Sequence, residues 1–475
     1  VITITQPIVM KFGGTSVEDA SAFRRVANIV AGRLEQSPVV VVSAMSGMTD
    51  ALLAAVELAA NKQDVEATGL LQPYFAEHAA VSEELLSPAE ADKFNATLKS
   101  HELEVCTRLQ SLSCDFSSRA VLRDAVLATG EQLSSALLAA TLRSCGVNAI
   151  TIDARRCIIT NEEFGIAAPL LPETTMRTKA EISPALLAAK VPVLGGFMGA
   201  TVAGVTTTLG RGGSDYTASI VGAAIVAREI QIWTDVPGVL TADPRVVPRA
   251  VTIPRLSYAE AAELAYFGAK VLHPKTIQPA VEGAIPVRIC NSRAPQGAST
   301  LVCAEIETAA QTVKAIAHKT GITTVQVSSA RMLGAYGFLR AIFEVFDRHR
   351  TVVDVVTTSE VSVSLSLDDA SELDAIVAEL ELLGTVSVET ERAMICVVGA
   401  GLRGTPGIAA RVFSTISDIN VMLISQGSSS INLTFVIEER QLSEAVSRLH
   451  MTFFEARDGE PAPIRVPSRK AASRI

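Results

Sequence analysis

Two stretches of this chain set a cation among clustered glycines. The first is Lys11-Phe12-Gly13-Gly14-Thr15-Ser16. The second is Thr206-Thr207-Thr208-Leu209-Gly210-Arg211-Gly212-Gly213-Ser214-Asp215-Tyr216. Glycines let the backbone turn tightly and come close to a ligand, and the free N–H groups of a helix that starts there form an anion site. Arg211 offers a planar fork for a carboxylate or phosphate. Asp215 is expected beside that cation, with Ser214 or Asp215 capping the helical run from Tyr216 to Ala227. Lys11 ends an apolar strand and can lie over phosphate oxygens as a mobile point charge. This is not a Walker A loop, because the lysine precedes the glycines. A capped connection between elements explains one Gly-rich turn. Two such loops, each with its own cation, point to an anionic ligand.

Strands ending in these loops must position them. Ile8 to Phe12 and Val39 to Ser43 are too apolar to have one face in water, so they read as buried strands, the second a parallel central one. The loop Ser43 to Asp50 is rich in hydroxyls and lies at a strand's carboxyl end, where open α/β sheets bind ligands. Residues 51 to 110 read as helical. Gly130-Glu131-Gln132 opens a further helix, 133 to 142, where a glutamate suits the helix dipole. Strands are expected at 148–153, 191–197, 229–235 and 285–290, and an amphipathic helix at 257–267. Gly195, Gly196 and Gly199 imply close backbone approach to something. Strands alternating with helices over 290 residues mean an α/β sandwich around a mainly parallel sheet.

The composition narrows the function. The 475 residues are 48% hydrophobic and 19% charged, a globular balance with room for two to four domains. A net charge of −9 without a basic stripe argues against nucleic acid. No apolar run is expected to reach the roughly 18 residues of a membrane span, and Val1 to Pro7 lacks signal-peptide character. Seven scattered cysteines with no Cys-x-x-Cys suit reduced thiols in a cytoplasm. The six histidines show no ligand spacing, so a bound metal would be a hard cation held by oxygens.

Beyond residue 300 the pattern changes. A gapless repeat of period 70 matches Gly337 to Gly407, Ile342 to Val412, Phe343 to Phe413, and Val361, Val363, Leu365 to Ile431, Leu433, Phe435. Each copy reads glycine, helix, strand, turn, alternating strand, helix: a duplicated small β-α-β unit. Gly399-Ala400-Gly401-Leu402-Arg403-Gly404 fits the dinucleotide pattern but lacks the acidic residue about 20 positions on, so NAD is not expected. The polar end, 461–475, reads as a disordered tail.

Four motifs together resemble the aspartokinase family: Lys11 to Val17, Thr208 to Tyr216, Trp233-Thr234-Asp235-Val236-Pro237-Gly238, and Phe267-Gly268-Ala269-Lys270-Val271-Leu272-His273-Pro274. The resemblance runs from Ile8 to about Phe454 and is to the single-function, lysine-sensitive type. It implies an amino-acid-kinase three-layer αβα sandwich with a mainly parallel sheet over 1–300. Two ferredoxin-like ACT (α+β) domains would follow, one over 323–390 and one built from 305–322 plus 391–460. It implies ATP-dependent phosphorylation of the L-aspartate side-chain carboxylate. Lys11 and Asp215 would be catalytic, Lys11 acting with the N–H groups of Gly13 and Gly14 on the transferred phosphoryl group. Arg211 would clamp the substrate's α-carboxylate, Glu131 its α-ammonium, and Ser43, Thr49 and Ser214 would supply hydroxyls. Thr234, Asp235, Arg245 and Lys270 carry over as nucleotide contacts. Mg²⁺ would be bound by ATP phosphates and water, with no protein ligand assigned.

The ACT pair implies feedback inhibition, with lysine as the effector and a homodimer or dimer of dimers formed through the ACT domains. The effector residues carry over to Met332, Gly337, Phe338, Leu339, Val353, Asp354, Thr358, Ser359 and Glu360. Asp354 is expected to end the first strand after the ACT helix and Glu360 to follow the turn. Two carboxylates there suit a ligand with two ammonium groups. The chain departs from the family pattern at Leu240 (often tyrosine), Gly334 (histidine) and Ala335 (serine). Competing readings are a kinase of glutamate or N-acetylglutamate, and a catalytically dead ACT sensor. Intact Lys11, Glu131, Arg211 and Asp215 count against the last.

Overall fold

The computed structural model describes residues 6–114, 118–268, 274–304, 312–333, 336–427 and 429–455. Lys270, Gly334, Ala335 and the tail from 461 lie outside them. The chain divides into two units: Val1–Val239 with Thr252–Ala261 and Val271–Ile306, and Leu240–Val251 with Ala262–Lys270 and Glu307–Ile475.

In the first unit the strands are β1 (Ile8–Phe12), β2 (Pro38–Val42), β3 (Ala149–Ile152), β4 (Ile159–Thr160), β5 (Val191–Gly195), β6 (Met198–Thr201), β7 (Thr206–Thr208), β8 (Glu229–Thr234), β9 (Arg255–Ser257), β10 (Val287–Asn291) and β11 (Ser299–Cys303). Eight form one sheet, ordered β3-β5-β2-β1-β8-β10-β11-β9. It is parallel from β3 to β10, and only the β10–β11 pair is antiparallel. β4, β6 and β7 make a separate three-stranded sheet. β1 and β2 are apolar at nearly every position because helices cover both faces of such a sheet. Their register sets Lys11 opposite Val41 on one side and Ile232 on the other. The carboxyl ends of β1, β2 and β8 therefore lie side by side.

The helices of this unit are α1 (Ala20–Ala31), α2 (Met48–Ala60), α3 (Asp64–Leu85), α4 (Pro88–Cys114), α5 (Arg119–Leu127), α6 (Thr129–Ser144), α7 (Leu171–Leu187), α8 (Gly213–Ala224) and α10 (Gln278–Glu282), while α9 (Tyr258–Tyr266) begins in this unit and ends in the second. The apolar faces of α1 to α6 close one core over β1 and β2. Phe12 and Trp233 stack at 5.9 Å within it. Contrary to expectation, Arg119–Ser144 is apolar and long enough by composition to cross a membrane, but 83% of its most apolar window is buried inside the fold. Arg119, Arg123, Asp124 and Glu131 interrupt the run in sequence, which hid it. It is a core helix pair.

The second unit holds one antiparallel sheet, β13-β14-β12-β15-β17-β16. Its strands are β12 (Ala315–Ser328), β13 (Val356–Thr358), β14 (Ser362–Leu367), β15 (Thr385–Val398), β16 (Leu423–Gln426) and β17 (Asn432–Glu438). Its helices are α11 (Phe338–Arg348), α12 (Leu373–Leu380), α13 (Ile408–Thr415) and α14 (Leu442–His450). The repeat of 70 is visible in this order. Val363, Leu365 and Ile342 are fully buried in one apolar cluster, and Leu433, Phe435 and Val412 in a second. β12 and β15 run through both. Ala315–Lys319 pairs with 394–398 and 325–328 with 385–388, across register shifts between Lys319 and Thr324.

Candidate active site

Lys11 stands at the fourth position of β1 with its side chain 12% exposed. Its Nζ lies 2.7 Å from Asp215 Oδ1. Asp215 thus pairs with Lys11, and it does not cap the helix that follows. The reason is local. α8 begins at Gly213, earlier than Tyr216, with left-handed Gly212 (φ 74°) as N-cap and no side-chain cap from Ser214 or Asp215. Arg211 stays outside the helix, exposed, while Asp215 sits in its first turn. A Cβ at Gly212 would stand 2.8 Å from Thr276 Cγ2, so glycine is required there by space as well as by φ.

The N-terminal loop also departs from expectation. The Gly13 N–H donates to the Trp233 carbonyl at 3.1 Å, extending the β1–β8 ladder, and is not available to phosphate. Gly14 opens a 3-10 turn over Gly14–Ser16, where the first N–H groups lack intrahelical acceptors. α1 starts only at Ala20, and its cap Asp19 already accepts from the Ala22 N–H. The loop, not the helix start, faces the site. Gly195 and Gly196 do mark close approach, but to the protein itself: Cβ atoms there would meet the Glu131 carbonyl at 2.8 Å and Ser214 Cβ at 2.6 Å.

Glu131 lies in the first turn of α6, 3% exposed. Burial pushes its carboxyl up to about 8, against the lowering influence of the Ala44 N–H and of Lys11. Its Oε2 is buried with no hydrogen-bond partner. A buried carboxylate with one oxygen unfilled suits an incoming ammonium. Ser43, whose N–H donates to the Phe12 carbonyl at 3.0 Å, and Thr49, in the first turn of α2, flank Ala44 in sequence and are half-buried. Ser214 is buried beside Gly196.

Sequence reasoning missed Asp124. It is fully buried at the end of α5 and accepts from the Gly165 N–H, the Thr208 N–H and the Thr208 hydroxyl. No motif marks it, since its partners are 41 and 84 residues away.

The amino acid kinase family matches residues 6–291, and the ACT domain matches 395–453. Aspartokinase 1, chloroplastic, of Arabidopsis thaliana is 37% identical over 468 residues, 95% of this chain and 80% of that protein. Lysine-sensitive aspartokinase 3 of Escherichia coli is 37% identical over 461 residues, 95% of this chain and all of that one. The chain belongs to the aspartokinase family. The crystal structure of E. coli aspartokinase III with aspartate and ADP agrees at a TM-score of 0.79 and 34% identity, over 94% of this chain and all of that chain.

Among the residues an aspartokinase is expected to use for nucleotide, Thr234 ends β8 and Asp235 follows it, and the Thr234 hydroxyl donates to Asp235 at 3.1 Å. Arg245, in the second unit, is forked onto Asp243 and holds that carboxyl below its usual range. Of the dinucleotide-like glycines, Gly399 has a packing role: a Cβ there would stand 1.8 Å from the Thr312 carbonyl, while Gly401 takes a left-handed φ of 67°.

In the regulatory unit, Gly337 (φ 84°) caps α11, which begins with Phe338 and Leu339. Phe338, Met332 and Val353 pack on the first apolar cluster, while Leu339 is 41% exposed. Asp354 precedes β13; it does not end a strand as expected. Its side chain is nearly buried, accepts from the Tyr266 hydroxyl, and lies 3.7 Å from Lys319 Nζ. Lys319 also pairs with Asp368 and sits 4.2 Å over the Tyr266 ring. Burial first, and then Asp368, raise the Asp354 carboxyl. Thr358 ends β13, the Ser359 and Ser362 hydroxyls are 2.7 Å apart, and Glu360 is exposed. Asp354 thus already faces a cation of its own chain.

Proposed function

We propose that this chain is an aspartate kinase, transferring the γ-phosphoryl group of ATP to the side-chain carboxylate of L-aspartate to give 4-phospho-L-aspartate and ADP. The observation that carries this reading is the Lys11–Asp215 pair between β1 and the first turn of α8, with buried Glu131, under the influence of Lys11, holding one carboxylate oxygen unfilled. Phosphoryl transfer needs positioning and charge neutralisation more than covalent help. Lys11, oriented by Asp215, supplies a cation to the transferred group, with the Gly14 N–H beside it. The attacking carboxylate is already ionised at neutral pH, so no general base is needed. Exposed Arg211 forks onto the substrate α-carboxylate and Glu131 receives its α-ammonium. Ser43, Thr49 and Ser214 add hydroxyls. Thr234, Asp235, Arg245 and Lys270 are the nucleotide contacts that the resemblance implies.

Among the described residues no group of three or more His, Cys, Asp or Glu side chains is placed to hold a metal. Mg²⁺ arriving with ATP would be held by phosphates and water, and would neutralise phosphate charge. The two ACT copies, 323–390 and 305–322 plus 391–460, serve feedback inhibition by lysine through Asp354, Glu360 and the start of α11, in a homodimer or dimer of dimers. The name of the E. coli lysine-sensitive relative supports that effector. The seven cysteines are scattered and form no Cys-x-x-Cys, which suits a reducing cytoplasm. Coupled ADP-release assays with aspartate, glutamate and N-acetylglutamate test the reading. Turnover with aspartate alone is expected; turnover with either other acceptor and not aspartate would refute it.

A further inference from the structure

Asp124 binds two loops at once. Its Oδ2 accepts the Gly165 N–H at 2.8 Å and the Thr208 N–H at 2.7 Å, and its Oδ1 accepts the Thr208 hydroxyl at 3.0 Å. Thr208 is the last residue of β7 and leads directly into the 209–212 loop that carries Arg211. The Gly165 loop backs that same loop. The Ala167 N–H donates to the Thr208 carbonyl at 2.9 Å, and a Cβ at Gly210 would stand 3.1 Å from the Gly165 carbonyl. On its other side Asp124 belongs to α5, and only Ala128 separates α5 from α6, whose first turn holds Glu131. A single buried side chain therefore ties the helix pair that presents the ammonium partner to the loop that presents the carboxylate partner.

We propose that Asp124 is a positioning residue, fixing the distance between Arg211 and Glu131 and so setting the affinity for the amino-acid substrate. This rests on the reading of Arg211 and Glu131 as the two ends of the substrate clamp. The role is one of hydrogen-bond geometry, not charge. All three donors converge on a site where burial disfavours the ionised form. An amide oxygen in the place of Oδ2 can still accept both N–H groups. The Thr208 hydroxyl can turn to accept from the amide nitrogen in the place of Oδ1. Asparagine should therefore preserve the tie, and alanine should release it, leaving the buried Thr208 N–H and the half-buried Gly165 N–H without acceptors.

The experiment is steady-state kinetics on the full chain, varying aspartate at saturating ATP and then ATP at saturating aspartate. Asp124→Ala should raise KM for aspartate about tenfold, the usual consequence of losing buried bonds to a carboxylate, with KM for ATP within about twofold. Asp124→Asn should stay within about threefold of the wild type in both. Thr208→Val, which removes one bond and keeps the fold's volume, should raise KM for aspartate about threefold. A folded Asp124→Ala with unchanged KM for aspartate would overturn the proposal, as would Asp124→Asn as damaging as alanine. If Asp124→Ala does not fold, Thr208→Val with unchanged KM for aspartate overturns it equally. Arg211→Lys is the control. If it leaves KM for aspartate unchanged, the clamp reading fails and takes this inference with it. If it raises that KM while Asp124→Ala does not, the inference alone fails.

Discussion

Raising the pH from 7 to 9 should raise kcat/KM for aspartate about tenfold at saturating ATP. Burial holds the Glu131 carboxyl up to about 8, so about one tenth of the free protein carries the ionised form at pH 7 and about nine tenths at pH 9. Only the ionised form pairs with an ammonium. The same group makes stability depend on pH. Its folded value is raised above the ordinary 4.5, so its stabilising contribution is full below about pH 4.5 and is lost as pH rises toward 8. The loss is on the order of 5 kcal/mol when complete, and bound aspartate should restore part of it. Glu131→Gln keeps the shape and the Ala44 N–H bond but cannot ionise. It should flatten the rate profile and melt at a higher temperature than the wild type above pH 8. Its deficit in kcat/KM should be about 10²-fold at pH 9, shrinking to about tenfold at pH 7 where the wild type is itself mostly protonated. The assays are ADP-coupled kinetics and thermal melts from pH 6 to 9. A flat wild-type profile, or the same rise in Glu131→Gln, would refute the reasoning.

Lys11→Ala and Asp215→Ala should each lower kcat about 10²–10³-fold with little change in melting temperature; near-normal turnover in either removes that residue from the chemistry. Arg211→Lys should raise KM for aspartate and spare KM for ATP, since an ammonium cannot copy a two-bond fork; the reverse pattern would make Arg211 a phosphate ligand. In the regulatory unit, Tyr266→Phe removes an internal donor to Asp354. Uninhibited turnover should hold while the lysine concentration for half-inhibition falls by about threefold; unchanged or weakened inhibition would show that the effector does not compete for that carboxylate.

The legible parts of the sequence were those where one physical demand governs many neighbouring residues. A strand covered on both faces must be apolar throughout, so β1 and β2 announced themselves, and with them the place of Lys11 and the carboxyl-end loops. Duplicated packing demands made the repeat readable, down to the pairs Ile342/Val412 and Leu365/Phe435. Features settled by distant partners were not legible. Gly13 has the sequence context of a phosphate donor, and nothing near it reveals that β8, more than 200 residues on, takes its N–H. β4, β6 and β7, two to four residues each, are too short to show any period. Asp124 reads as an ordinary polar position on an amphipathic helix, yet it is fully buried because Thr208 and Gly165 fold over it. The glycines at 195 and 196 mark the same limit from the other side. Their spacing correctly demanded close approach, but only the fold could say that the approaching groups were Glu131 and Ser214, two of the residues assigned to hold the substrate. The motif loops and the framework glycines are thus one construction, in which glycine at 195 and 196 lets the Glu131 backbone and Ser214 close on the end of β5.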